Sequence, residues 1–179
     1  MIRTILVFGA IAGLIVAAPM FGTFLFHIVP PKLGHSLLFG YLVMLLALSL
    51  IFVGVKRFRD QSLGGVIRFL PALLVGLGVS AVAGFFYVAA WELIQAATHN
   101  DFANSYAAAM VESAHAKGAS PAELQRVTAQ AQAFKTQYAD PLYRLPMTFA
   151  EIFPVGVLIS LISAGLLRNR RFLPARAPV

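Results

Sequence analysis

Apolar residues run almost unbroken through four stretches of the chain, Thr4–Ile28, Ser36–Val55, Phe69–Ala97 and Leu145–Leu167. Crossing about 30 Å of hydrocarbon takes roughly 20 helical residues, and each stretch is long enough to do so. The pattern therefore predicts four transmembrane helices. The first has the look of a secretion signal, with Arg3 as a basic flank and Val16-Ala17-Ala18 as a cleavage site. Its apolar run continues well past Ala18, so a retained span is expected.

Between the third and fourth stretches, residues 98–144 form the one long polar segment, and its pattern changes to that of amphipathic helices. Asn100 or Thr98 can cap a first helix that carries Phe102, Tyr106 and Met110 at spacings of four and ends at Gly118. Ser120-Pro121-Ala122-Glu123 then supplies a capping box with proline at the first helical position, a specific start signal. The second helix places Leu124, Val127, Ala131, Phe134 and Tyr138 at steps of three and four, one apolar stripe on a polar helix. Asp140-Pro141 is expected to stop it before the fourth span. The two stripes match in length, so packing on each other is the plain reading; an exposed face that docks another envelope protein is the sharper one.

Composition agrees with a lipid environment. Of the 179 residues, 59% are hydrophobic and 12% charged, with mean hydropathy +0.80. A water-soluble domain carries roughly 25% charged residues. The length suits a single membrane domain over 1–179 with the helical hairpin inserted in it. There is no cysteine, which excludes disulfides, thiolate metal sites and cysteine nucleophiles.

The net charge of +7 does not point to nucleic acid, because the basic residues are sorted by side. Arg3, the loop Lys56-Arg57-Phe58-Arg59-Asp60, Arg68, Arg168, Arg170, Arg171 and Arg176 put nine basic residues and one acid on one side. Lys32, Lys117, Arg126, Lys135 and Arg144 are balanced by Asp101, Glu112, Glu123 and Asp140 on the other. Cytoplasmic flanks collect Lys and Arg. Both termini are thus expected in the cytoplasm, with 98–144 on the outer face and anionic lipid against the basic side.

Small residues mark close-packing faces of helices in lipid. Gly9 and Gly13 make such a face on the first span, Gly76, Ser80 and Gly84 on the third, and Gly156, Ser160 and Ala164 on the fourth. They predict a tight four-helix bundle; whether they join helices within one chain or between copies in a homo-oligomer is open at this level. Pro19 and Pro154 each remove a backbone hydrogen bond inside a span. The segments 49–59 and 160–170 agree at six of eleven positions. This reads either as a duplicated two-helix unit or as two helices ending at the same basic interface.

Ionisable side chains within spans are functional candidates because burying them is costly. Glu92 and Glu151 are the acids of this kind. At 1.5 Å per residue Glu92 lies about 36 Å from Arg68, and Glu151 about 25 Å from Arg168. By the same rise His27 lies about 36 Å from Arg3, and His35 about 31 Å from Lys56. All four fall in one band near the outer boundary. They suit interfacial groups that reach water, a buried polar cluster that orients the hairpin or holds a proton, or ligands of a divalent metal such as zinc. No HExxH, GxSxG, Walker loop, Rossmann fingerprint or SxxK occurs, so no catalytic residue is assigned and no cofactor is expected. Glu151 is expected to face the bundle interior, where the kink at Pro154, a freed Ala150 carbonyl and Gly156 complete a polar pocket. Glu92, beside Trp91, Tyr87 and Gln95, is expected at the outer interface.

The stretches Leu48–Asp60, Leu63-Gly64-Gly65-Val66 and Met147–Gly156, with Phe102-Ala103-Asn104-Ser105-Tyr106 and its Ala-rich continuation, are carried by a known family. Over roughly residues 4–170 the chain resembles the bacterial four-helix membrane family named for domain of unknown function 4199. The resemblance implies a bacterial cytoplasmic-membrane location and hence a periplasmic hairpin. It implies no activity and transfers no functional residue.

Three function classes remain. The first is a non-enzymatic accessory, binding or assembly protein of the envelope, with a membrane or periplasmic protein partner. The second is a small proton- or ion-linked transporter using Glu92 and Glu151. The third is a metal-dependent membrane hydrolase.

Overall fold

A computed structural model describes residues 1–26, 28, 36–99 and 101–175. Among them the chain forms seven helices: α1 (Ile2–Phe24), α2 (Leu37–Leu48), α3 (Leu50–Ser62), α4 (Phe69–Ala97), α5 (Asp101–Ala116), α6 (Pro121–Ala139) and α7 (Pro141–Leu167). No strand occurs among the described residues. Helices α2 and α3 follow one another across Ser49, and together Leu37–Ser62 make one apolar helical length. With α1, α4 and α7 it gives four helices long and apolar enough to cross a membrane, with mean hydropathy between 2.0 and 2.6. The all-helical fold read from the pattern is the one found.

The third span has the expected limits, and the other three differ for local reasons. The first helix ends at Phe24 rather than Ile28. The basic stretch Lys56–Asp60, expected as a loop, is helical and continues to Ser62. Side-chain bonds one turn apart support it there: Lys56 pairs with Asp60, and Arg57 Nε donates to Gln61 at 3.0 Å. Asp140-Pro141, expected to end a helix, also begins α7, which runs unbroken into the fourth span. The Asp140 carboxylate accepts from the Leu142 N–H at 2.9 Å. Proline fits the first helical position because its missing N–H would have no helical partner there.

The small-residue faces meet inside this one chain. On α4, Gly76 faces Ser160 of α7, where an added Cβ would come within 2.8 Å of the Ser160 Cβ. One turn further along the contact the roles reverse, and Ser80 of α4 lies against Gly156 of α7 so closely that a Cβ on Gly156 would collide with its hydroxyl. Gly9 and Gly13 of α1 do the same against Val82 and Phe86 of α4. Backbone approach of this kind replaces the hydrophobic drive that lipid cannot supply. Between these contacts Val16, Leu48, Ile51, Val55, Val75, Val79 and Ile152 fill the core. Leu14, Leu42, Leu74, Phe85 and Leu158 stay on the outer surface.

The similar segments 49–59 and 160–170 are used differently. Gly54 packs on Phe8, whereas a Cβ on its counterpart Gly165 would meet nothing within 4 Å. Arg59 is fully buried and its counterpart Arg170 is exposed. Arg59 Nε donates to Asp60 at 2.6 Å, Nη1 to the Phe172 carbonyl at 3.0 Å, and Nη2 to the Leu173 carbonyl. A guanidinium has five donors and cannot be neutralised by deprotonation, so these acceptors are what permit its burial. In return they hold the segment after α7 against the end of α3.

Gly156→Ala is expected to lower the thermal stability of the purified protein, by on the order of 1–3 kcal/mol as for other overpacked contacts. Gly165→Ala, made on the same helix with open space around it, serves as the comparison in thermal unfolding and should leave stability near that of the parent.

Candidate functional site

One set of polar side chains gathers where α4, α6 and α7 converge, and the local sequence explains each position. Tyr87 and Trp91 lie one turn apart on α4, and both are 8% exposed. They had been expected in an interfacial belt beside Glu92. Instead their polar tips find partners inside: Tyr87 Oη donates to Glu151 Oε2 at 2.9 Å, and Trp91 Nε1 donates to Tyr138 Oη at 2.6 Å. Buried Tyr and Trp usually make such bonds.

Glu92, the next residue on α4, reaches Arg144 near the start of α7. Arg144 Nε donates to Glu92 Oε1 at 2.7 Å and Nη2 to Oε2 at 2.6 Å, a two-pronged pair of the strongest geometry. The third prong, Nη1, donates to the Tyr138 carbonyl at 3.0 Å. The guanidinium also lies 5.8 Å from the centre of the Tyr138 ring. Its side chain is 8% exposed, and that of Glu92 is 29% exposed. Thr148, one turn on, closes the set by donating to the Arg144 carbonyl at 3.0 Å.

Aromatic rings extend this network into α5 and α6. Trp91 meets Phe102 edge-on at 5.0 Å, Phe102 lies 5.5 Å from Tyr138, and Tyr106 lies 5.0 Å from Phe134. The stripes of the two amphipathic helices thus cover each other, as the plain reading had it. Gly118 ends α5 with φ of 72°, and the capping box opens α6 with Glu123 N–H donating to Ser120 Oγ at 3.4 Å and Ser120 N–H to Glu123 Oε2 at 3.0 Å. The Thr98 hydroxyl donates back to the Ile94 carbonyl of α4 at 2.8 Å, and Asn100 lies outside the described residues.

Charge in this region follows burial and bonding. Burial pushes the Tyr138 phenol above its ordinary range; the Trp91 contact opposes that, while the Glu151 carboxylate adds to it. Glu123 is held below the usual carboxylate range, first by the Ser120 N–H it accepts from. Its contribution to the hairpin is present above the pKa of a free glutamate and disappears as pH falls through the lowered value.

Of the four sequence-derived candidates, Glu92 and Glu151 are described, and His27 and His35 lie outside the described residues. The two acids have different partners, Arg144 and Tyr87, and share only the field around Tyr138. Glu151 is exposed on the side of α7, not turned to the core as expected, because Thr148, Ile152 and Gly156 occupy the buried face of that helix. Gly156, expected to complete a pocket with Glu151, is closed off by Ser80. Among the described residues no three His, Cys, Asp or Glu side chains come together as metal ligands would.

Sequence reasoning missed the residue at the centre. Arg144 reads as one more basic residue on the outer side, counted against nearby acids. Its signal was position, since α7 continues through Asp140-Pro141 and places Arg144 on the face that meets α4.

Two cavities flank the network. An open groove of about 650 Å³ runs between α5 and α6, lined by Ala107, Val111, Glu112, His115 and Lys135 among others. A smaller one of about 150 Å³ lies between α1, α2 and α4. Neither is lined by Glu92 or Glu151.

One family model matches the chain, over residues 7–169, and its description is that of a protein of unknown function, DUF4199. No curated protein and no solved structure matches.

Removing either half of the ion pair leaves a charge without its partner, so Glu92→Gln and Arg144→Gln should each destabilise by roughly 2 kcal/mol, the range for charged hydrogen bonds. The double variant should lose clearly less than the sum of the two in thermal or denaturant unfolding. Additive losses would show that the two side chains do not act together.

Proposed function

Since the chain belongs to the DUF4199 family, whose description carries no activity, we propose from its own geometry that it is a non-enzymatic binding or assembly protein of the bacterial envelope. In this reading the four apolar helices sit in the cytoplasmic membrane with both termini in the cytoplasm. Helices α5 and α6 stand as a hairpin on the periplasmic side of a single membrane domain. The exposed arginines Arg3, Arg57, Arg68, Arg168, Arg170 and Arg171 fit the cytoplasmic leaflet.

The observation that carries the reading is the Glu92–Arg144 pair. A carboxylate held by two prongs of a buried guanidinium is engaged in structure and is a poor general base or ion carrier. Its position ties the base of α6 and the start of α7 to α4, so the hairpin is a fixed projection of the bundle. A fixed polar projection over a membrane anchor suits recognition of another protein. The small-residue faces of α1, α4 and α7 are occupied within the chain, which leaves the hairpin as the surface for a partner, whether a membrane or periplasmic protein or a second copy.

A second reading, a small proton- or ion-linked carrier, has one observation in its favour. Glu151 lies within a span, and its hydrogen bond goes to a neutral tyrosine. An acid at that depth is otherwise expensive.

Crosslinking followed by mass spectrometry in native membranes separates these readings. The binding protein should give crosslinks from Lys117 or Lys135 of the hairpin to one recurrent partner or to another copy. Absence of any such partner, with loss of a measured proton or ion flux in Glu151→Gln, would transfer support to the carrier.

A further inference from the structure

We infer that the cavity between α1, α2 and α4 is a binding site for the hydrocarbon chain of a membrane lipid. Among the described residues its walls include Met20 and Thr23 of α1, Gly40 and Met44 of α2, and Tyr87 and Trp91 of α4. It is a half-open cleft of about 150 Å³, the space of about five groups the size of a water molecule. That is room for a few methylene groups of a chain and too little for a headgroup.

The hydrogen bonding of the walls selects the guest. Three wall side chains carry a polar hydrogen, and each is committed elsewhere. Thr23 Oγ1 donates to the Pro19 carbonyl at 2.9 Å, Tyr87 Oη to Glu151 at 2.9 Å, and Trp91 Nε1 to Tyr138 at 2.6 Å. An ordered water needs two to four polar partners, and the wall side chains leave it no uncommitted polar hydrogen. The remaining wall side chains are hydrocarbon, aromatic ring and two thioethers. Methionine adapts its shape and polarisability to such a guest.

The surroundings name its source. Tyr41 and Leu42, next to the wall residues on α2, are 53% and 55% exposed, so this side of the second span presents apolar surface at the cavity's edge. Exposed apolar surface on a membrane-spanning helix faces acyl chains. Gly40 supplies the opening: a Cβ there would meet nothing within 4 Å. The inference requires that the bundle lie in a bilayer, and it holds whether or not the hairpin binds a protein.

The test uses the full chain reconstituted in phosphatidylcholine vesicles that contain a small fraction of phosphatidylcholine with a diazirine on the headgroup-proximal half of one acyl chain. After irradiation, adducts are mapped by mass spectrometry. Wild-type protein should carry adducts on the cavity wall at Met20, Met44 or Trp91, as well as on the outer surface at Leu158. Gly40→Leu, which fills the opening, should reduce the wall adducts at least fivefold and leave Leu158 labelling unchanged. Val43→Phe, on the same wall, should do likewise. Wild-type protein labelled at Leu158 but not on the wall overturns the inference, and this result needs no variant. So does a wall signal that persists in folded Gly40→Leu, or one that falls only in step with Leu158.

Discussion

A guanidinium keeps its charge in any protein environment, so a buried arginine forces fixed acceptors to assemble around it. Among the described residues two arginines are buried, one at each end of the bundle. Arg59 collects the carbonyls that follow α7 together with Asp60. Arg144 collects both oxygens of Glu92 and the Tyr138 carbonyl. Neither set of acceptors comes from one helix alone. The demand of each arginine therefore fixes how segments distant in sequence sit together: α3 with the segment after α7 at one end, and α4 with α6 and α7 at the other.

Between the arginines, association depends on closeness. The Gly76–Ser160 and Ser80–Gly156 contacts bring the backbones of α4 and α7 together, and dispersion over such a seam is what lipid leaves available to hold helices. The seam is non-directional along its length, and the end arginines give it register. Helices α5 and α6 join the same arrangement, because Tyr138 contributes its carbonyl to Arg144, its hydroxyl to Trp91 and its ring to Phe102. Glu92, a candidate polar-cluster and transport residue in the sequence, is bonded here to Arg144 beside the same contacts of α4, α6 and α7.

Much of this architecture was legible in the residues. The apolar runs located four helices, and Phe69–Ala97 was placed to the residue, because hydrophobic length is set by the membrane and needs no knowledge of neighbours. The capping box and Gly118 marked the hairpin turn, since both are local in sequence. The small-residue stripes marked faces but not partners, which depend on how the helices are arranged. The site was less legible for the same reason. Arg144 and Glu92 are 52 residues apart, and nothing local distinguishes Arg144 from an ordinary solvated arginine. Lys56–Asp60 was read as a loop because charge usually marks a membrane boundary; here the helix continues through these charges, with Lys56 and Arg59 both paired to Asp60 and Arg59 buried. Glu151 was assigned to the interior from its proximity to Pro154, whereas the helical phase set by Thr148, Ile152 and Gly156 turns it outward.

The ion pair of Arg144 and Glu92 is proposed to hold α5 and α6 in one position on the helical bundle. The chain has no native cysteine, so spin labels can be placed at two chosen sites, such as Arg126 on α6 and Phe85 on α4. Their distance distribution, measured by pulsed electron resonance in lipid nanodiscs, reads the claim directly. The account predicts one narrow distribution in the otherwise unaltered chain and a broad one after Arg144→Gln. A broad or multimodal distribution with Arg144 and Glu92 both intact would contradict it.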